Sequence, residues 1–283
     1  MIREAKFAGS WYDGSEAALR KTFKKFFETD ERGPKKVPEV KAGPRKIVAI
    51  VSPHAGYMYS GAIAAHGYAE LALDGKPDLF IICGVDHHGY GMRAAASIQS
   101  QGGWQTPLGT AKINSEVARK ILTAAPKKIQ DSASAHGAEH SLELQLPFLQ
   151  YIYKEIEFIP VMISSSSLSD FQAIGHAIAE SCKGKNVALV ASTDFTHFES
   201  AKSAKEKDQK ALDAILKLDE ELLYNTVEKN KISMCGYGST STVIRAAREL
   251  GAKEAVLLKY ANSGDITGDY SDVVAYSSLK LMK

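Results

Sequence analysis

Histidines that could bind a metal or transfer a proton follow three apolar stretches of the sequence. His54 follows KIVAIV in SPHAGYMYSG, His87 follows DLFIICG in GVDHHGYG, and His197 follows NVALVA in STDFTHFE. Asp86 directly precedes His87, and Asp194 stands three positions before His197. Imidazole and carboxylate side chains serve as metal ligands and as general acids and bases. Because ligand sites in open α/β sheets lie beyond the carboxyl ends of strands, we expect these loops to share one crevice.

The doublet His87–His88 does not read as a symmetric pair of ligands. Adjacent residues on an extended loop point to opposite sides, so we expect only one of the two rings in a shared site. The other ring and Asp86 are then expected to form the pocket wall or to fix the loop. Gly84 and Gly89 border the doublet and permit the tight turns that such a loop needs.

Cys235 is the cysteine whose position is compatible with chemistry. It lies in SMCGYGST, just before a helix predicted to begin near Ser239. An exposed thiol at a helix start has its thiolate favoured and can be a nucleophile, a redox sensor or a soft metal ligand, whereas a buried one is inert. Cys83 in an apolar strand and Cys182 in a helix are expected to be structural.

The run AEHSLELQLPF contains a further acid and histidine, Glu139 and His140. If a helix begins near Ser141, the two residues either cap it or support the site, and the sequence leaves both interpretations open. His66 and His176 lie within helical runs, so we assign them to the core or to a helix surface.

Two imidazoles and one anionic ligand would leave open positions on a metal for dioxygen, water or substrate. A cysteine hydrolase that uses Cys235 with His197 and Asp194 is a second interpretation, because a triad is defined by geometry and not by sequence order. The sequence has no GxSxG nucleophile elbow, no GxxxxGK[ST] loop and no strand-linked GxGxxG, which argues against serine hydrolases of that type and against nucleotide binding.

Strand and helix patterns alternate along the chain and would position these side chains. Apolar stretches predict strands at 46–51, 78–84, 94–99, 157–163, 186–193, 255–263 and 272–279. Helical periodicity predicts helices at 16–28, 61–73, 140–153, 170–183, 201–229 and 239–250. The alternation favours a three-layer α/β fold, with helices flanking a central mixed, largely parallel sheet. No repeat or composition break divides it, so we predict a single domain over residues 1–283.

The amino-acid composition limits the classes of binding partner and the cellular compartment that we expect. The 283 residues contain 35 Lys and Arg against 33 Asp and Glu, a net charge of +2 that argues against nucleic acid or an anionic membrane as partner. The three cysteines lack CxxC spacing, which indicates a reducing compartment. No segment has the apolar length of a membrane span and the start lacks a signal-peptide core, so a cytoplasmic protein that binds a small molecule or a peptide is expected.

A set of motifs, taken in order, resembles one family. AGSWY, SPHAGYMYSG, GVDHHG, EHSLELQLPFL, STDFTHF, the CG of MCGYG and YANSGD are together similar to the MEMO family, whose archaeal and bacterial members are called AmmeMemoRadiSam system protein B. The matches extend from about residue 8 to beyond residue 265. The resemblance implies a fold similar to class III extradiol (LigB-like) dioxygenases, which are non-haem iron enzymes that open catechol rings.

The resemblance also implies a metal site. His54 and His87 match the metal-binding histidines, His197 matches a third pocket histidine that acts as ligand or acid/base, and Cys235 stands where the dioxygenases have a glutamate. Asp194 is expected behind an imidazole, orienting it. Iron is the implied metal, with copper or zinc as alternatives, and AMMECR-type and radical SAM proteins are implied partners. Because a thiolate is more electron-donating than a carboxylate and can itself be oxidised, dioxygenase activity does not follow automatically.

These inferences lead to three functional hypotheses. The first is a metal-binding protein with a His/His/Cys site, whose activity would be that of a redox enzyme or an oxidoreductase of the dioxygenase type acting on an unknown substrate. The second is a non-catalytic module that binds a peptide or protein in the same crevice. The third is the cysteine hydrolase.

Overall fold

Twelve strands occur in the computed structural model, which describes residues 1–283. They are β1 (Ile2–Arg3), β2 (Ile47–Ser52), β3 (Leu79–Val85), β4 (Ala96–Ile98), β5 (Gly103–Thr106), β6 (Gly109–Ile113), β7 (Ile129–Asp131), β8 (Glu157–Ile163), β9 (Val187–Ser192), β10 (His197–Glu199), β11 (Glu254–Asn262) and β12 (Val273–Met282). All of them belong to one sheet.

Nine α-helices connect or follow these strands. They are α1 (Glu16–Lys24), α2 (Tyr57–Leu73), α3 (Ser115–Ala124), α4 (Leu146–Tyr153), α5 (Leu168–Cys182), α6 (Ala201–Leu216), α7 (Glu220–Asn230), α8 (Tyr237–Glu249) and α9 (Gly264–Thr267). A π-helical turn, Lys25–Thr29, extends α1, and 3₁₀ turns occur at Ser134–His136 and Glu143–Gln145. None of the helices combines the length and the apolar character that crossing a membrane requires.

The sheet is mixed and largely parallel at its centre, which confirms the predicted fold class. Its main path runs β1-β5-β6-β8-β3-β9-β2-β12-β10. The four central strands β8, β3, β9 and β2 are mutually parallel, and β12 adds to β2 in antiparallel orientation. Consequently the carboxyl ends of β3, β9 and β2 lie side by side at one edge of the sheet.

Helices cover both faces of the sheet, so the fold has three layers. Along β3, Leu79 and Ile81 belong to one buried cluster with residues of α3 and α5 to α8, whereas Phe80 and Ile82 belong to another with residues of α1, α2 and α4. Strands covered on both faces are apolar along their whole length. β2 and β9 are buried throughout, as the uninterrupted apolar sequences predicted.

The prediction of one continuous helix over 201–229 is wrong, because two helices occupy this range. α6 ends at Leu216 and α7 begins at Glu220. Between them Leu218 adopts φ +54°, a left-handed conformation that cannot continue a right-handed helix. The Asp219 side chain then accepts a hydrogen bond from Leu222 N at 2.8 Å and caps α7. A local cap therefore overrides the helical periodicity that runs across the break.

The helix predicted over 140–153 begins later than expected. α4 starts at Leu146, with Pro147 in its first turn, where a missing N–H has no cost. The residues before it form a loop and a 3₁₀ turn whose polar side chains, including Glu143 and Gln145, are fully buried. These side chains bond to distant segments, which is why the chain departs from the α-helix there.

Candidate metal centre

The loops that follow β2, β3 and β9 meet at the sheet edge where these strands end. They carry His54, His87 and Asp194, and His197 begins β10 directly after the third loop; all four residues line one cavity of about 500 Å³. The full lining is Trp11, His54, Ala55, Gly56, Tyr59, His87, His140, Asp194, His197, Phe198, Ser263, Thr267, Asp272, Val273, Val274 and Tyr276. Parallel neighbouring strands thus bring together histidines that are more than 140 positions apart in sequence.

Three imidazoles in this cavity form a compact group. His54, His87 and His140 each offer a ring nitrogen, and these nitrogens lie within 4.8 Å of one another. The ring centroids are 5.2 Å apart for His54 and His87, 5.3 Å for His54 and His140, and 4.4 Å for His87 and His140. Such a cluster of imidazole nitrogens could hold a transition-metal ion.

Hydrogen bonding fixes the tautomer of His54. Its Nδ1 lies 2.9 Å from Ser192 Oγ, whose own proton is donated to Ser141 O at 2.6 Å. Ser192 Oγ must therefore accept the proton of His54 Nδ1, and Nε2 is left with its lone pair. His54 is 1% exposed, and burial, together with the neighbouring His87, lowers its pKa to about 3. The ring is a neutral donor, as metal binding requires.

Glu139 plays the same part for His87. Its Oε1 lies 2.9 Å from His87 Nδ1, its Oε2 accepts from His87 N at 2.9 Å, and Ser141 N donates to Oε1 at 2.7 Å. Burial alone would raise the pKa of Glu139, but the hydrogen bond with His87 outweighs it and holds the pKa well below its ordinary value. An ionised Glu139 keeps the proton on Nδ1 and leaves Nε2 of His87 free.

His140 is the member of the group that sequence reasoning did not assign to the metal. Its Nδ1 lies 3.5 Å from Glu139 Oε1, and its side chain is 12% exposed. Burial, together with the neighbouring His54, lowers its pKa to about 3. Its position directly after Glu139 in the sequence is the signal that could have identified His140. A single carboxylate can contact two histidine rings, and Glu139 contacts those of His87 and His140.

The N-terminal segment closes one side of the cavity through Trp11. The Trp11 ring lies against His140, with centroids 4.3 Å apart, and Trp11 O accepts a hydrogen bond from Tyr57 N at 2.9 Å. The segment is anchored by Glu143, whose carboxylate is fully buried. Glu143 accepts hydrogen bonds from four donors: Arg3 Nη1, Lys6 N at 3.1 Å, Phe7 N at 2.9 Å and Tyr12 OH at 2.8 Å.

Cys235 lies beside His54 and outside the lining of the cavity. Its Sγ is 3.2 Å from His54 Nε2 and accepts a hydrogen bond from Asp194 N at 3.3 Å. Burial raises the pKa of the thiol, and the nearby Asp194 carboxylate raises it further. Without a cation the sulfur therefore stays protonated and donates to His54 Nε2. The other two cysteines, Cys83 and Cys182, are fully buried in the core.

A model of one protein family covers nearly the whole chain: the Memo family, described as Memo-like protein, matches residues 3–280. The chain belongs to the Memo family. A MEMO1 family protein of Methanopyrus kandleri is 42% identical over 99% of this chain and 98% of its own length. Another, from Methanothermobacter thermautotrophicus, is 41% identical over 99% and 100%. These matches confirm the family that the sequence motifs resemble.

The fold of this Memo-family chain is also found in a solved structure. An uncharacterized protein from Escherichia coli K12 superposes with a TM-score of 0.54, and the alignment covers 82% of this chain and 99% of that chain. The two sequences are 14% identical, so the likeness concerns the fold alone.

Two further residues predicted for the Memo-family site have defined contacts. His197 lines the cavity, and its Nδ1 lies 2.8 Å from Ser233 O, a carbonyl that can only accept. His197 therefore carries its proton on Nδ1, and Nε2 can accept one. Asp194 was predicted to orient an imidazole. Instead its Oδ1 accepts hydrogen bonds from the backbone, His54 N at 2.8 Å and Ala55 N at 3.3 Å, so it fixes the loop that carries His54.

Asp86 and His88, the remaining polar residues of the GVDHHG loop, lie outside the cavity lining. Asp86 accepts hydrogen bonds from Tyr90 N, Gly91 N and Ser164 Oγ at 2.8–3.0 Å and fixes the loop. His88 stacks on Tyr90 with ring centroids 5.5 Å apart. The doublet is thus divided, with His87 in the imidazole group and His88 outside it.

Proposed function

We propose that this Memo-family protein binds one transition-metal ion, with iron as its native metal, and acts as an oxidoreductase. His54, His87 and His140 would hold the ion, and Cys235 would add a thiolate. The observation that carries the proposal is the group of three ring nitrogens within 4.8 Å of one another in an open cavity. His197 and Asp194 would not be ligands in this arrangement.

The imidazoles of His54 and His87 carry their protons on the nitrogen that faces away from the proposed metal position. Separate acceptors, Ser192 Oγ and the Glu139 carboxylate, hold the protons of His54 and His87 on Nδ1. Both Nε2 lone pairs are then available, which is the usual arrangement of histidine ligands supported by a hydrogen-bonded neighbour. No positive charge has to be removed from His54 or His140, because both rings are neutral at physiological pH.

The sulfur of Cys235 fits the same ion. Atoms that bind one metal at about 2.0–2.3 Å lie roughly 3–3.5 Å apart, and Cys235 Sγ is 3.2 Å from His54 Nε2. Its raised pKa means that the thiol loses its proton only when a cation compensates the charge. Thiolate and imidazole donors suit iron, copper and zinc, so the preference for iron rests on the family resemblance.

The rest of the cavity supports chemistry at the ion. A bound iron would supply redox and oxygen-binding chemistry at this position. His197, whose Nδ1 proton is held by Ser233 O, would accept a proton from a bound substrate at Nε2. The cavity volume of about 500 Å³ leaves room for a small organic molecule beside the imidazoles.

The geometry does not favour the cysteine hydrolase. The partner of the Cys235 thiol is His54, whose Nε2 lies 3.2 Å away, while His197 bonds to Ser233. Burial and the Asp194 carboxylate raise the pKa of the thiol, which works against a thiolate nucleophile.

Metal binding tests the proposal. We expect protein reconstituted with Fe²⁺ without oxygen to retain about one ion per chain, measured by mass spectrometry after gel filtration. His54→Ala, His87→Ala and His140→Ala should each weaken binding by more than about 100-fold, beyond the effect of losing a supporting hydrogen bond. Cys235→Ser should weaken it and remove any sulfur-to-metal charge-transfer band.

His88→Ala is the matched control, since it removes a histidine adjacent to His87 that stacks on Tyr90 outside the cavity. Retention of metal by His140→Ala at wild-type affinity would remove His140 from the ligand set. Absence of bound metal after reconstitution with iron, copper and zinc in turn would refute the site altogether. Background oxygen uptake over a panel of catechols would refute the dioxygenase type of reaction alone.

A further inference from the structure

Phe198 has an unusual conformation for a bulky residue. It follows His197 in β10, adopts φ +58°, and lies where the pairing of β10 with β12 shifts register between His197 and Glu199. Its side chain lines the cavity and the residue is 76% exposed. Bulges next to functional sites re-aim a side chain, and a strained backbone persists where the surrounding structure enforces it. The ring contacts His197 edge-on, with centroids 5.7 Å apart, and most of the residue is open to solvent, so it is accessible to a ligand.

Trp11 is a second aromatic ring at the same cavity. It is 37% exposed, and its ring packs against His140. The partly buried Val274 adds apolar surface to the lining. Two exposed aromatic rings in one cavity are suited to stack on a planar ligand, since aromatic pairs gain energy beyond the area that they bury.

The charges at the cavity select among planar ligands. The sixteen lining residues include Asp194 and the exposed Asp272 but no lysine or arginine. Arg32 donates to the carbonyl of the lining residue Tyr59, yet its guanidinium is paired with both carboxylate oxygens of Asp30. The mouth of the cavity therefore attracts cations and repels anions. Aromatic faces also attract cations, through the ring quadrupole.

We propose that Phe198 and Trp11 form a recognition element for an aromatic ring bearing a positively charged amine, with Asp272 attracting the amine. Phe198 is then a specificity-determining residue, which explains why a strained backbone is kept there. The proposal rests on the proposed function in that the ring would be held over the imidazole group. Ligand recognition at the mouth can nevertheless be measured without metal.

Four small probes that differ in charge or in the ring test this directly: 2-phenylethylamine, 2-phenylethanol, phenylacetate and 2-cyclohexylethylamine. Binding would be followed by calorimetry and by tryptophan fluorescence, to which Trp11 and Trp104 both contribute, with metal-free and metal-loaded protein. We expect 2-phenylethylamine to bind most tightly and phenylacetate most weakly in metal-free protein. Phe198→Leu should weaken the binding of 2-phenylethylamine by about two- to tenfold and leave the binding of 2-cyclohexylethylamine almost unchanged. Asp272→Asn should reduce the preference for the amine over the alcohol.

Tyr90→Leu is the matched control, because Tyr90 is 60% exposed and lies outside the cavity lining. Equal effects of Phe198→Leu and Tyr90→Leu, or tighter binding of phenylacetate than of the amine by metal-free protein, would overturn the proposal. Metal content measured on the same samples separates the two proposals. Protein that prefers the amine but retains no metal contradicts the metal site alone, and protein that retains metal without this preference contradicts the recognition element alone.

Discussion

Two sides of the cavity are built in opposite ways. The anchored wall, formed by Arg3, Trp11, Glu139, His140 and Glu143, is held by buried carboxylates with several partners each. Glu139 and Glu143 are at most 1% exposed. The open mouth, formed by Phe198, Asp272 and Val274, presents an exposed aromatic ring and an exposed carboxylate to solvent.

The difference separates two tasks. Buried hydrogen-bonded networks determine a single arrangement of their members, because each unpaired group would be costly. They are therefore suited to hold imidazoles in one tautomer and orientation. An exposed surface keeps its side chains free to contact a ligand from solution. We infer that the anchored wall sets the geometry of the metal centre and that the open mouth, together with the Trp11 ring, selects what approaches it.

Breaking the ion pair of the anchored wall should give the largest effect. Arg3 and Glu143 have side chains 7% and 0% exposed, and Arg3 also donates to His136 O and Glu139 O. Arg3→Met leaves the Glu143 charge buried and unpaired, so we expect the free energy of unfolding to fall by about 3–5 kcal/mol. Urea unfolding followed by circular dichroism measures it.

An exposed ion pair provides the control for this substitution. Arg20 and Glu16 on α1 have side chains 45% and 58% exposed, so Arg20→Met should cost less than about 1 kcal/mol. Adding Glu143→Met to Arg3→Met should recover part of the lost stability, since no buried charge then remains. A cost below about 1 kcal/mol for Arg3→Met would show that the wall is not anchored by this pair.

His136 should make the anchored wall sensitive to acid. It is fully buried against Trp104, and neither ring nitrogen has a hydrogen-bond partner. Burial lowers its pKa to about 4. The charged groups that act on it are Arg3, which lowers the pKa further, and Glu139, Asp86 and Asp131, which raise it.

The sign of the pH effect follows from the lowered pKa of His136. The unfolded chain takes up this proton near pH 6.5 but the folded protein only near pH 4, so stability present above pH 6.5 is lost as pH falls towards 4. The loss from this residue is about 3 kcal/mol. His136→Phe, which keeps a ring against Trp104, should unfold with a flatter pH dependence between pH 4 and 7. Parallel curves for the two proteins would contradict the prediction.

Weakening the hydrogen bond between Glu139 and His87 Nδ1 tests whether the anchored wall affects metal affinity. Glu139→Gln keeps the shape of the side chain but removes the charge that holds the proton on His87 Nδ1. We expect metal affinity to fall by about 10- to 100-fold, measured by competition with a chelator. Glu116→Gln, which alters an exposed acid of α3 paired with Lys120 outside the cavity lining, should leave the affinity unchanged.

A substitution at the open mouth should have the smallest effect on the free energy of unfolding, and it should raise this free energy where the substitutions in the anchored wall lower it. Phe198→Gly relieves the φ +58° conformation while removing a side chain on a residue that is 76% exposed. We expect the free energy of unfolding to rise by about 1 kcal/mol. Tyr90→Gly, at an exposed aromatic residue without a positive φ, should show no such gain. A loss of stability in Phe198→Gly would indicate that the ring supports the fold and not a ligand.

The sequence predicted the layers of the fold better than the ends of its elements. Uninterrupted apolar stretches identified β2 and β9, because strands covered on both faces leave this local pattern. The break between α6 and α7 at Leu218 and the late start of α4 were missed, since capping and buried polar contacts overrode periodicity. No sequence pattern was assigned to the β5–β6 hairpin or to α3.

What the sequence by itself determined is the family, the alternation of strands and helices, and histidines placed where strands end. These features are local in the chain or lie in the order of short motifs. Only the tertiary structure decided that His140 joins the imidazole group, that Glu139 supports His87 from 52 positions away, and that Glu143 anchors Arg3 from 140 positions away. Hydrogen bonds form between groups that packing brings together, and packing of distant segments leaves no periodic signal in the sequence.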